Sequence, residues 1–261
     1  MKYGHFLGIS ALAIAGFATS AAAQDYDYYV SGTLGINSQQ NSDNSGQFNR
    51  PFFITGTGTA LDGANLPEGT EVGWETDFDD GYTFGAAVGK DYGMFRLEAE
   101  LAYASNDVEA HRMVEAAGMS IDAVDAAVLI QGQTTPLGAN VAQIVADGQG
   151  DIRTTYLLAN AYLDFDNNTR LTPYVGAGLG AGFVDVDYSP SGVDIASDGG
   201  TVFAYQFVGG LDFALNETSS LLTNIRYRGT SDVEVEVDLF PADLDVENSS
   251  YVLEAGYRYT F

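Results

Sequence analysis

Eight charged residues stand out by their spacing. Arg96, Glu98 and Glu100 occupy alternate positions, Arg226 and Arg228 do the same, Glu254 precedes Arg258, and Asp212 stands between apolar neighbours. Side chains two apart project from the same face of a β-strand. The chemistry open to such a set is ion pairing, because guanidinium bonds carboxylates bidentately and resists deprotonation. Glu98 and Glu100 on one face also make an acid–base couple, but the arginines beside them make ion pairing the simpler account. A nucleophilic site needs a base. The base on offer is His111, in a stretch that reads as loop, where a solvated side chain is expected. Asp185, Asp187, Asp194 and Asp198 flank one connection, and Asp232, Glu234, Glu236 and Asp238 alternate along another. Carboxylates suit Ca²⁺, but the EF-hand spacing is missing, so a solvated acidic surface is expected, with no metal and no cofactor. Gly176, Gly178, Gly180 and Gly182 alternate with a spacing unlike G-x-G-x-x-G. Their missing side chains on the inward face are expected to make room for bulky residues from opposite strands.

The elements that must carry these residues are strands. Period-two alternation marks eight segments: Asp27–Asn37, Tyr82–Lys90, Met94–Ala104, Ile152–Phe165, Thr172–Val186, Thr201–Leu215, Ser220–Gly229 and Ser250–Phe261. In the third, Phe95, Leu97, Ala99, Leu101 and Tyr103 share one face and Arg96, Glu98 and Glu100 the other. In the last, Tyr251, Leu253, Ala255, Tyr257, Tyr259 and Phe261 oppose Glu254, Gly256, Arg258 and Thr260. A soluble sandwich would turn the apolar face in, whereas a membrane barrel turns it out to lipid. Loop lengths decide. Long connections (Ser38–Gly81, Ser105–Asp151, Asp187–Gly200, Thr230–Ser249) alternate with short ones (Asp91–Gly93, Asp166–Leu171, Asn216–Ser219). That asymmetry is typical of outer-membrane barrels. The fold class is therefore all-β: an eight-stranded antiparallel up-and-down transmembrane barrel with long extracellular loops.

Composition agrees. A net charge of −26 excludes nucleic acid as a partner. A hydrophobic content of 46%, with 16 Tyr and 15 Phe, excludes a disordered acidic chain. Cysteine is absent, so no disulfide holds the fold. Lys2, the apolar run Phe6–Ala18 and Ala21-Ala22-Ala23 read as a signal peptide over residues 1–23, leaving residues 24–261 as the barrel domain. Tyr28, Tyr29, Tyr82, Tyr92, Phe165, Tyr174, Phe213, Tyr227 and Tyr259 are candidates for interfacial girdles. In the second long loop, Ile121, Val124, Ala127 and Val128 form one helical stripe with Ser120 as N-cap. Leu137, Val141, Ile144 and Val145 form another, entered at Thr135. Val233, Val235 and Val237 suggest that the last two strands extend beyond the membrane as a hairpin.

The inward set comprises Arg96, Glu98, Glu100, Asp212, Arg226, Arg228, Glu254 and Arg258, with Asn160, Gln206 and Asn224. Eight strands leave an interior that side chains fill, so an ion-pair plug is expected, with a narrow charged pore as the rival.

The terminal Gly256-Tyr257-Arg258-Tyr259-Thr260-Phe261 resembles the C-terminal targeting strand of outer-membrane barrels. The stretches Phe95–Leu101, Pro173–Gly180 and Ala204-Tyr205-Gln206 resemble small barrels of the opacity-protein and OmpA-type transmembrane-domain family. The resemblance implies an outer-membrane location in a Gram-negative bacterium and recognition of Tyr257, Tyr259 and Phe261 by the barrel-assembly machinery. It also implies contact with outer-membrane lipid and lipopolysaccharide, and an antigen- or adhesin-like role at the loops, through which an extracellular ligand would bind. Separately from the resemblance, the acidic loops are candidates for divalent ions that bridge their carboxylates to lipopolysaccharide phosphates. Two readings compete with this non-enzymatic one: a channel for ions or small solutes, and a membrane-embedded lipid-modifying enzyme.

Overall fold

The computed structural model describes residues 28–54, 61–130, 133, 135–192 and 194–261. The expected signal peptide and its cleavage site lie outside them. Twelve strands of four or more residues are described: β1 (Tyr28–Gln39), β2 (Ser42–Phe48), β3 (Glu71–Phe78), β4 (Gly81–Asp91), β5 (Phe95–Ala116), β6 (Gly150–Asp164), β7 (Leu171–Tyr188), β8 (Ala196–Ala214), β9 (Ser219–Thr230), β10 (Val233–Glu236), β11 (Ala242–Val246) and β12 (Ser249–Thr260).

Eight of them close a ring in the order β1-β4-β5-β6-β7-β8-β9-β12, every pair antiparallel. This is the up-and-down barrel that the alternation predicts. The last strand seals it: Tyr29 pairs with Thr260, and the Phe261 N–H donates to the Tyr28 carbonyl at 2.8 Å. Along these strands apolar residues face out and polar ones in. Leu34, Leu101, Leu179, Phe207, Ile225 and Leu253 are exposed, while Glu100, Asn160, Gln206, Arg228 and Glu254 are buried. Lipid accepts the first set; the second must find partners in the lumen.

The long connections are more ordered than loops. β5 to β8 run on past the membrane-facing segment, and β3 pairs with the upper half of β5. β2 pairs with β3, β11 with β2, and β10 with β11. β10 then packs against β8. The result is a second storey on the barrel, sharing four strands with the first. Here the pattern inverts. Val72, Trp74, Val108, Val184, Val186, Val233, Val235, Leu244 and Val246 face inward and pack as the main apolar core. Glu71, Asp107, Glu109, Asp185, Glu234, Glu236 and Asp245 face outward. On β5 the outward face changes from Leu101 and Tyr103 to Asp107 and Glu109, which puts the lipid boundary between them.

Several expectations change accordingly. The first connection is not a bare loop, since it supplies β2 and β3. The hairpin over Val233 and Val235 forms, but it joins β2 in the upper sheet. Both helices are shorter than the stripes. A 3₁₀ turn spans Ala126–Leu129, capped by Asp125 rather than Ser120. An α-helix spans Val141–Val145, capped by Asn140 with a Gln143 capping box rather than entered at Thr135. The Asp125 carboxylate also accepts the Leu137 and Gly138 N–H groups, tying the two together; those bonds lower its pKa. Of the girdle candidates, Tyr29 and Tyr174 are buried in the lumen. An upper belt instead gathers Tyr82, Phe84 and Tyr103 on one side and Tyr205, Tyr227 and Tyr251 on the other. Tyr92, Phe95, Tyr259 and Phe261 stand at the lower rim.

Candidate functional site

The lumen holds the charged residues singled out by spacing. β5 places Glu100, β9 places Arg226 and Arg228, and β12 places Glu254, because each lies on the inward phase of its strand. Glu100 binds Arg226 at 3.0 Å and Arg228 at 3.2 Å, and accepts from Gln206 at 2.7 Å and Asn160 at 2.6 Å. Arg226 also reaches Glu254 at 2.7 Å, which accepts from Asn224 at 3.2 Å. The Arg228 guanidinium lies 4.7 Å from the Tyr156 ring centre. These side chains are at most 4% exposed.

A second cluster lies nearer the short turns. Arg96 pairs with Asp164 at 2.7 Å, and Arg258 with Asp212 at 2.6 Å. Arg96 sits 4.8 Å from the ring centres of Tyr162 and Tyr174, and Arg258 lies 5.3 Å from that of Tyr29. Glu98 differs from the other acids: it accepts from Asn160 at 3.1 Å and the Tyr162 hydroxyl at 3.0 Å. Among the described residues no guanidinium pairs with it. Three carboxylates therefore face two guanidiniums in the central layer. Asp164 was not among the residues singled out, since it ends its strand beside the Asp166-Asn167-Asn168 turn and reads as part of it.

Glycines make the packing feasible. A methyl at Gly176 would meet the Tyr162 ring, one at Gly178 the Asn160 amide, and one at Gly210 the Tyr174 ring. The room they leave is taken by residues of neighbouring strands, not opposite ones. At the chain's end Tyr257, Tyr259 and Phe261 face outward, and the Tyr257 hydroxyl lies 2.8 Å from Ser219 Oγ.

His111 is a correction. It is not a solvated loop residue: it lies on the upper half of β5, opposite Thr76 of β3, and is 3% exposed. A buried chain of hydrogen bonds ends on it. The Glu247 N–H donates to Ser42 Oγ at 3.0 Å, Ser42 to Asn44 Oδ1 at 3.0 Å, and Asn44 Nδ2 to Thr76 Oγ1 at 2.7 Å. Thr76 Oγ1 lies 2.8 Å from His111 Nδ1. Thr76 Oγ1 accepts from Asn44, and when its own proton goes to Nδ1 the imidazole N–H sits on Nε2. Burial lowers the His111 pKa from 6.5 to about 4, partly opposed by the Asp147 carboxylate, so the ring is neutral. The unfolded chain binds this proton first. Stability is therefore expected to fall as pH drops from about 6.5 to about 4 and to flatten below, by up to about 3 kcal/mol in all. Acid unfolding of the upper storey, followed by Trp74 emission, should lose that step in His111→Gln.

The acidic outer face of the upper storey forms a broad open concavity across β2, β3, β10 and β11, with Asp43, Glu71, Glu75, Glu234, Asp243 and Asp245 among its walls. Among the described residues, no group of three or more His, Asp or Glu side chains is arranged to hold a metal ion.

The model of an outer membrane protein beta-barrel domain matches residues 9–259. No curated protein matches the sequence. Among solved structures, OprG from Pseudomonas aeruginosa is 15% identical, with a TM-score of 0.50, over 90% of this chain and 95% of its own. Neisserial surface protein A is also 15% identical, with a TM-score of 0.45, over 90% of this chain and 97% of its own. A closed antiparallel ring with lipid-facing apolar side chains, matched over nearly the whole length by one family model, leaves one assignment: the chain belongs to the outer membrane β-barrel family, which resides in the Gram-negative outer membrane.

Proposed function

We propose that the protein is a non-conducting, non-enzymatic surface-display barrel. The lower storey anchors it among outer-membrane lipid and lipopolysaccharide, and the upper storey presents an acidic face to an extracellular partner. The buried layer of Glu100, Gln206, Arg226, Arg228 and Glu254 carries the reading, because it spans the lumen with side chains closed to solvent. An interaction role is supported by the open acidic concavity, which suits a cationic polypeptide through long-range attraction. A rigid sheet behind it limits the ordering cost of binding. The outward ring ladder of Tyr257, Tyr259 and Phe261 on the sealing strand suits recognition by the assembly machinery.

In planar bilayers the purified protein should show no resolved single-channel steps. Arg228→Ala together with Glu100→Ala should open a conductance by deleting the middle of the layer. Defined steps in the unaltered protein, abolished by altering Arg96 or Arg258, would establish the channel instead.

A further inference from the structure

The upper storey's apolar core is not filled. A cavity of about 120 Å³ lies inside it, and Phe48, Phe52, Phe240, Ile121 and Val128 are among its walls. The three phenylalanine rings form one cluster, with centres 5.4 to 6.2 Å apart. Met119 also lines the cavity and is well exposed, so the space reaches the surface at that point. A cavity of roughly 150 Å³ lined by Leu, Ile and Phe stays dry and admits benzene, so this one is on the scale of a single ring.

Two polar groups interrupt the apolar wall. His111 and Trp74 both line the cavity, and their rings meet edge-on at 6.3 Å. His111 Nε2 and Trp74 Nε1 are buried and have no hydrogen-bond partner among the described residues. An unmade bond on a buried donor costs about 1–3 kcal/mol, so two in one apolar wall call for a function. With Thr76, at the end of the relay from Ser42 and Asn44, donating to Nδ1, the imidazole carries its hydrogen on Nε2. Both orphan groups are then donors, and what they lack is an acceptor. Among the described residues neither lysine nor arginine lines the cavity, and a charged guest would be buried there without a counter-ion.

We infer that this cavity is a binding site for a small, neutral, ring-sized apolar molecule carrying one hydrogen-bond acceptor, such as a carbonyl oxygen, which His111 and Trp74 bind. The inference goes beyond the surface-display reading and does not depend on it, since none of the lumen-layer residues Glu100, Gln206, Arg226, Arg228 and Glu254 lines the cavity.

Trp74 is the chain's single tryptophan, so its indole N–H gives one resolved resonance in the ¹⁵N spectrum of the full chain in micelles. Acetophenone should move it downfield and saturate. Ethylbenzene, of nearly the same shape but without the oxygen, should bind at least tenfold more weakly, and benzoate should leave the resonance in place. Ala64→Leu, which narrows the cavity without touching either donor, should abolish the acetophenone shift. His111→Phe should bring acetophenone and ethylbenzene to similar affinities, and should that variant not fold, the ligand series and Ala64→Leu still decide. Equal binding of acetophenone and ethylbenzene to the unaltered protein would overturn the inference. So would an unsaturable shift, or one that persists in Ala64→Leu, because either would report partition into the micelle.

Discussion

Glu100→Gln is expected to destabilise the barrel by about 3–5 kcal/mol, whereas Glu98→Gln, two residues away on the same face, is expected to cost less than about 1 kcal/mol. Both changes are nearly isosteric, so the difference isolates charge. Glu100 faces Arg226 and Arg228 with both oxygens. Glutamine there would remove the charge the two guanidiniums share and set N–H donors against N–H donors. Arg226 would keep Glu254, but Arg228 would be left with its nearest carboxylate oxygen at 4.0 Å. A buried guanidinium stripped of its counter-charge is the costly outcome, more so than loss of a pair as a whole. Glu98 accepts from a neutral amide and a hydroxyl through Oε1, and a glutamine carbonyl accepts the same two bonds. Urea titration of refolded protein in vesicles, read by the shift between unboiled and boiled gel mobility, measures both costs. Similar losses for the two variants would mean that the layer holds by hydrogen bonding alone.

The contrast also explains what the sequence makes legible. In the lower storey every strand keeps strict period two, so inward and outward sets separate at once, and the eight segments and the charged inward residues can be read directly. The upper storey hides for two reasons. Ser42-Asp43-Asn44-Ser45-Gly46 has the composition of a turn, yet Ser42 and Asn44 point inward into a polar relay and Phe48 into the core. On β5 the register slips twice against β3, between Asp77 and Phe78 and between Gly73 and Glu75, with Met113 at φ 54° beside the second slip. Each slip adds a residue to β5. Val108, His111 and Val114 therefore share the inner face at intervals of three, and period two disappears where the strand continues. That is why His111 reads as loop. On β3 a usable signal remains: Val72, Trp74, Thr76 and Phe78 alternate with Glu71, Gly73, Glu75 and Asp77.

The inversion between storeys gives the second large expected effect. Ile225→Arg should cost about 2–4 kcal/mol, because Ile225 faces outward at the middle of β9, 65% exposed, where its surroundings are hydrocarbon. Glu234→Arg faces outward too, but from the upper storey, and should stay within about 0.5 kcal/mol. Inward positions should reverse the order. Leu244→Ala in the upper core should cost about 2–5 kcal/mol through the cavity it leaves. A soluble sandwich predicts the opposite at Ile225, since an arginine placed on a face that water already wets costs little. Transferring the variants from detergent into lipid vesicles adds an internal control: the Ile225→Arg penalty should depend on acyl-chain thickness, and the Leu244→Ala penalty should not. The reason is the medium. One wall of alternating residues serves two solvents, and the acids that begin at Asp107 and Asp185 mark where lipid gives way to water. If the Ile225→Arg penalty proved insensitive to the bilayer, the apolar outer face would have to be buried against protein, and the lower ring could not be the membrane-spanning part.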